Sequence, residues 1–234
     1  MRKKIKNEQF LSTLFISGFH IGMCIYWSMT QKNWRRLLFL TWWSLYLNSV
    51  FLISILICDS ILFFTKKTFL EKINFFFRNY YSSVSITFSY FVTIIYWTLI
   101  YVGSGFQTGG KNLNDVLHNI YIHLLVSIFL TVDIFMAKRN KKEFNSIEFS
   151  IIYSILIIYM IFYLIGKFEY NQNVYSFTNE MTKIKIIIYF IIFSVVIFFS
   201  YEIYIFFVNE ANEENEDKNY INEIHLMLNE PLIN

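Results

Sequence analysis

The sequence predicts an all-α fold, a polytopic membrane protein built as a bundle of six transmembrane helices. Three observations predict it. First, 56% of the 234 residues are hydrophobic and 21% aromatic, whereas soluble domains of this size run at about 45–50% apolar. Second, six apolar stretches come close to the ~20 residues that a helix needs to cross the hydrocarbon of a bilayer. Third, short polar segments such as QKNWRR and AKRNKKEFNS separate those stretches. Backbone groups in lipid must find their partners within the segment, so the stretches read as helices rather than strands.

The elements follow in order. Residues 1–9 form a basic cytoplasmic N-terminus. The first span, 10–29, resembles a signal peptide in its basic flank. Its apolar run is longer than an h-region of ~7–15 residues, and no A-x-A-like site closes it, so it reads as a span. The second span, 37–62, begins within WRRLLFLTWW (34–43), after its tryptophan and two arginines. The third, fourth, fifth and sixth cover 84–103, 116–136, 149–168 and 184–208. The transmembrane domain is thus 10–208. The acidic tail 209–234, beginning NEANEENED, is expected to be a disordered cytoplasmic segment.

Lys and Arg set the orientation. With the N-terminus inside, thirteen fall on inner segments and seven on outer ones, which places both termini in the cytoplasm. Trp27, Trp34, Trp42 and Trp43 then gather at the outer interface as an aromatic belt. Cys24 and Cys58 lie in apolar runs, with neither a disulfide framework nor a metal-ligand spacing. There is no Gly-rich phosphate loop, no continuous basic surface for nucleic acid, and no internal repeat of the kind that marks inverted-repeat transporters. The expected partner is therefore the bilayer and its lipids, not nucleic acid, in an endomembrane such as the endoplasmic reticulum or in the plasma membrane. The oligomeric state is left open.

Polar residues at membrane depth carry the most information, because they cost energy in lipid and mark interior sites. Thr41 lies ~6 Å and His123 ~12 Å inside their spans at 1.5 Å per residue, both in the outer half. Thr41, Ser44 and Asn48 share one helix face, and Asn119 and His123 share another. Asp59, Asp133 and Glu202 fall near the inner ends of their spans. Asp133 is ~15 Å along the axis from His123, too far to complete a direct triad with it, so Asn119 is the better group to orient the imidazole, or a backbone carbonyl could do so. A threonine hydroxyl becomes a nucleophile when a base removes its proton, and histidine titrates in the right range to do so. Ser44 and Asn48 could supply oxyanion donors. Each position also has a plain reading. Thr41 can bond the carbonyl four residues back, His123 can join helices, His20 and His118 can be structural, and the basic loops can simply set topology.

Several segments resemble the androgen-induced and androgen-dependent family of six-span membrane threonine hydrolases. WRRLLFLTWWSLYLN is similar to that family's aromatic-x-x-Leu-Thr-aromatic segment, with Thr41 at the nucleophile position and Asn48 where Gln is usual. SILICDS places Asp59, and SYEIYIF places Glu202, at acidic family positions. IIYWTLIY resembles its third-span aromatic segment. NIYIHLLVSIFLTVDIFM keeps Asn119, His123 and Asp133 at the family spacings. The resemblance implies hydrolysis of fatty acid esters of hydroxy fatty acids by Thr41 with His123 as base, without metal or organic cofactor. Two other readings compete: a non-catalytic lipid-binding or transport protein using the same polar cavity, and a metal or haem protein using His20, His118 and His123.

Overall fold

The structure is a computed structural model that describes residues 7–30, 40–65, 68–101, 119–137, 139–170 and 182–229. Among these residues every regular element is helical. The helices are α1 (Asn7–Thr30), α2 (Leu40–Phe64), α3 (Thr68–Phe76), α4 (Ser82–Tyr101), α5 (Val126–Met136), α6 (Ser146–Phe168) and α7 (Lys183–Asn229). Two π turns interrupt the series: Phe77–Tyr81 joins α3 to α4, and Tyr121–Leu125 leads into α5. Among the described residues, four stretches, Gln9–Tyr26, Leu40–Phe64, Ser146–Phe168 and Ile184–Glu213, are long and apolar enough to cross a membrane. Their exposed faces carry large apolar side chains such as Phe15, Ile57, Ile161 and Phe199. Water would not tolerate so broad an apolar surface, but lipid does.

α4 is the central helix. It packs against α2, α5, α6 and α7, and every residue from Ser82 to Val92 is buried. Its sequence, SSVSITFSYFV, explains why it can sit there. Small hydroxyl residues let neighbouring backbones approach closely and satisfy their own polar atoms locally or across helices. Ser83 donates to the Tyr80 carbonyl at 2.5 Å, and Thr93 to the Ser89 carbonyl at 2.9 Å. Around this axis, Phe51, Leu52, Ile55, Phe88, Phe91, Leu130 and Leu156 form a core that is at most 1% exposed. α6 starts sharply because the Asn145 side chain accepts from the amides of Ile147 and Glu148, the usual way an N-cap satisfies orphan donors.

Two expectations change. The acidic stretch after residue 208, expected to be disordered, continues as α7 as far as Asn229. Extending an existing helix needs no new nucleus, so even a polar sequence can propagate it. The tryptophans also part company. Trp42 is buried, and Trp43 packs its ring on Tyr159 and Phe162 of α6 at 6.0 and 5.7 Å, so these two are packing residues rather than an interfacial belt. Trp34, Arg35 and Arg36 lie outside the described residues.

Candidate functional site

Thr41 is the second residue of α2 and is half-buried. Ser44 and Asn48 follow on its face, both buried. Asn48 Nδ2 donates to Ser44 Oγ at 3.4 Å, and Ser85 Oγ on α4 donates to Asn48 Oδ1 at 2.5 Å. The polar stripe on α2 therefore faces the central helix, not lipid. His123 is buried on the second π turn, and its ring lies flat on Tyr96 of α4, centroids 3.5 Å apart and planes 5° from parallel. α2 packs against that π turn, so the elements bearing Thr41 and His123 are neighbours. Asn119 stands one turn before His123 and is half-buried. His118 lies outside the described residues.

The carboxylates expected near the inner face sort differently. Asp59 and Asp133 are both buried, and Arg78 joins them. Arg78 Nη2 donates to Asp59 Oδ2 at 2.6 Å, and its Nη1 to Asp133 Oδ1 at 3.1 Å. Arg139 Nη2 donates to Asp133 Oδ2 at 2.6 Å. Thr13 and Asn74 complete Asp59 at 2.9 and 2.6 Å. Two carboxylates and two guanidiniums cancel, which is how a charge cluster survives burial. The cluster ties α1, α2, α3, the first π turn, α5 and the segment after α5 together. That π turn is part of the design: the Arg78 carbonyl receives both Arg139 Nη1 and Ser82 Oγ, each at 2.6 Å. Glu202 is half-buried and does not belong to this cluster. Its neighbour Tyr201 instead donates to Glu148, which pairs with Lys142 at 2.8 Å.

Arg78 and Arg139 read as loop cations in the sequence, yet they are buried ion-pair partners. The available signal was local: Arg78 sits alone in INFFFRNYYSSV, an aromatic setting unlike that of the lysines around it. His20 forms a third polar group. Its ring nitrogens lie 2.8 Å from Tyr121 Oη and 3.0 Å from Ser49 Oγ. Beside these, α4, α5 and α7 enclose an open groove of about 670 Å³, lined by Tyr90, Thr93, Ser127, Thr131, Val132 and Phe207 among others. Two hydroxyl rungs cross its floor, Thr93 to Ser127 at 3.1 Å and Tyr90 with Thr131 at 2.7 Å. Thr93 and Ser127, two of its lining residues, stand one helical turn from Tyr96 and His123.

Fold and site together define a multi-pass helical membrane protein with a neutral buried charge cluster and a separate layer of hydroxyl, amide and imidazole groups. The chain belongs to the FAR-17a/AIG1-like family, whose model matches residues 10–209. Among curated proteins and among solved structures, none matches the chain significantly.

Proposed function

We propose that this protein hydrolyses lipid esters inside the membrane, with fatty acid esters of hydroxy fatty acids as the substrate class. The observation that carries the reading is family membership over residues 10–209, a match that spans both Thr41 and His123. The packing of α2 against the π turn that bears His123 supports it. In this reading the six apolar stretches make six crossings, both termini are cytoplasmic, and the membrane is an endomembrane or the plasma membrane.

The chemistry follows from the groups present. His123 takes the Thr41 proton as Thr41 Oγ1 attacks the ester carbonyl. The tetrahedral oxyanion needs donors, and the Ser44 hydroxyl and Asn48 amide lie on the same face of α2. His123 then protonates the departing alkoxide, releasing the hydroxy fatty acid. Water attacks the acyl-threonine with His123 again as base, and the fatty acid leaves. Asn119, one turn away, orients the imidazole. No step needs a metal or organic cofactor.

A fluorophosphonate probe tests the assignment on full-length protein in detergent. It should label Thr41, as mapped by mass spectrometry, and block turnover of a branched fatty acid ester. An adduct at another residue, or turnover that survives both Thr41→Ala and His123→Ala in folded protein, removes the reading.

The groove favours a second reading, non-catalytic lipid binding or transport. Its volume, about 670 Å³, is within the usual range for small-molecule sites, and its walls suit an acyl chain. That reading predicts bound lipid with no turnover and no adduct. Under the hydrolase reading the groove holds the acyl chain, and Val132→Trp should shorten the chain accepted. The expected result is a fall of about tenfold in kcat/KM for long-chain relative to short-chain esters. An unchanged ratio would place the chain elsewhere.

A further inference from the structure

His20, Tyr121 and Ser49 form a continuous relay whose two ends fall on the two elements of the proposed catalytic pair. Cys24 Sγ also lies 3.4 Å from both His20 Nε2 and Ser49 Oγ, and one tautomer of His20 satisfies the bonds of the relay as follows. Ser49 Oγ donates its single proton to the Leu45 carbonyl at 2.8 Å. Its lone pairs are then free to accept, and His20 Nε2–H donates to it at 3.0 Å. A neutral imidazole protonated at Nε2 accepts at Nδ1, and the Tyr121 hydroxyl, 2.8 Å away, donates there. His20 and Tyr121 are each 1% exposed, so no competing solvent dissolves the bond between them, and Ser49 is half-buried. Phe19 closes the side, its ring edge-on to Tyr121 at 5.9 Å.

The ends of the relay give it meaning. Leu45 is one helical turn beyond Thr41 on α2. Tyr121 opens the π turn and is two residues before His123. A π turn is an uncommon conformation in a helix and tends to occur at functional positions; this one is pinned at its first residue by a side-chain bond to α1. We infer that His20 is a positioning residue: through Tyr121 on one side and Ser49 on the other, it fixes the π turn that carries His123 against the helix that carries Thr41. The inference rests on the hydrolase reading for its catalytic meaning, while the clamp itself rests on geometry alone. Reacting groups displaced by ~1 Å can lose ~100-fold in rate, so a remote clamp of this kind has leverage on kcat.

Tyr121→Phe removes one hydroxyl and preserves the ring. In full-length protein in detergent, kcat should fall about tenfold with KM within about twofold, in keeping with a buried bond left half made. Backbone hydrogen exchange at residues 121–125 should quicken about tenfold. Ser49→Ala added to Tyr121→Phe should cause little further loss, because both break one relay. His20→Gln, whose amide can accept from Tyr121 and donate to Ser49, should recover activity lost in His20→Leu. Folded Tyr121→Phe with wild-type exchange and wild-type kcat overturns the inference. So does a change confined to KM. If Thr41→Ala abolishes turnover while Tyr121→Phe leaves it intact, only the positioning role fails. If turnover is indifferent to Thr41 although exchange at 121–125 quickens, the hydrolase reading fails and the positioning role falls with it.

Discussion

Under the proposed hydrolase function, Thr41→Ala is expected to lower turnover of a branched fatty acid ester by about 10⁴-fold or more, and His123→Ala by a comparable factor. The reason is the interdependence of the pair. A threonine hydroxyl without a base is a poor nucleophile, and a base without the hydroxyl has nothing to activate. The double variant should therefore be hardly worse than either single one, as when members of a catalytic unit are removed together. Thr41→Ser keeps the hydroxyl and should retain much of the rate, since the attacking atom is unchanged. Stability should move little: Thr41 is half-buried and lies outside the Asp59–Arg78–Asp133–Arg139 cluster. The measurement is single-turnover hydrolysis beside a thermal unfolding curve. Additive losses in the double variant would argue that the two residues do not act on one step.

Arg78→Met should be the most damaging substitution for stability. It leaves Asp133 paired with Arg139 and Asp59 buried with only Thr13 and Asn74, so an uncompensated negative charge remains. Breaking a buried pair in this way costs about 3–5 kcal/mol, which for a chain of this length lowers the melting temperature by on the order of 10 °C. Arg78→Lys should fall between, because one ammonium cannot offer the planar fork that reaches both carboxylates. Adding Asp59→Asn to Arg78→Met should recover part of the loss by restoring neutrality. Salt should change little in the wild type, since the bonds from Arg78 and Arg139 to the two aspartates are buried and poorly screened. Thermal unfolding in detergent measures each of these. A melting temperature for Arg78→Met equal to wild type would show that the cluster does not hold the bundle together.

Much of the architecture was legible because apolar length is a strong signal. Stretches such as LTWWSLYLNSVFLISILICDSILFF can only be lipid-facing or buried helix, and they are helix here. That Asp59 and Asp133 each fall late in an apolar helix was legible from position along the chain. Their shared partner was not, because Arg78 lies nineteen residues from Asp59 and fifty-five from Asp133, and no period connects them. Glu202 illustrates the opposite error. It has the depth of an inner-layer carboxylate, but helix rotation sets it half-buried and gives the buried role to Glu148, Tyr201 and Lys142. His20 looked like an isolated structural histidine, since Ser49 and Tyr121 come from two other helices.

What the sequence by itself determined is the class: a helical membrane protein with hydroxyls, imidazoles and carboxylates at particular positions along its apolar helices. Those properties follow from one-dimensional quantities, apolar run length and rise per residue. Only the tertiary structure decided which polar groups meet. Side-chain pairing depends on helix rotation and on which helices touch, and the two π turns shift rotation where it matters most, at Arg78 and at Tyr121 and His123. A reader of WRRLLFLTWW can find Thr41 and its place near the start of an apolar helix. That its helix packs against the turn of His123, and that a relay from Leu45 to Tyr121 spans the same two elements, comes from packing around α4 and α1.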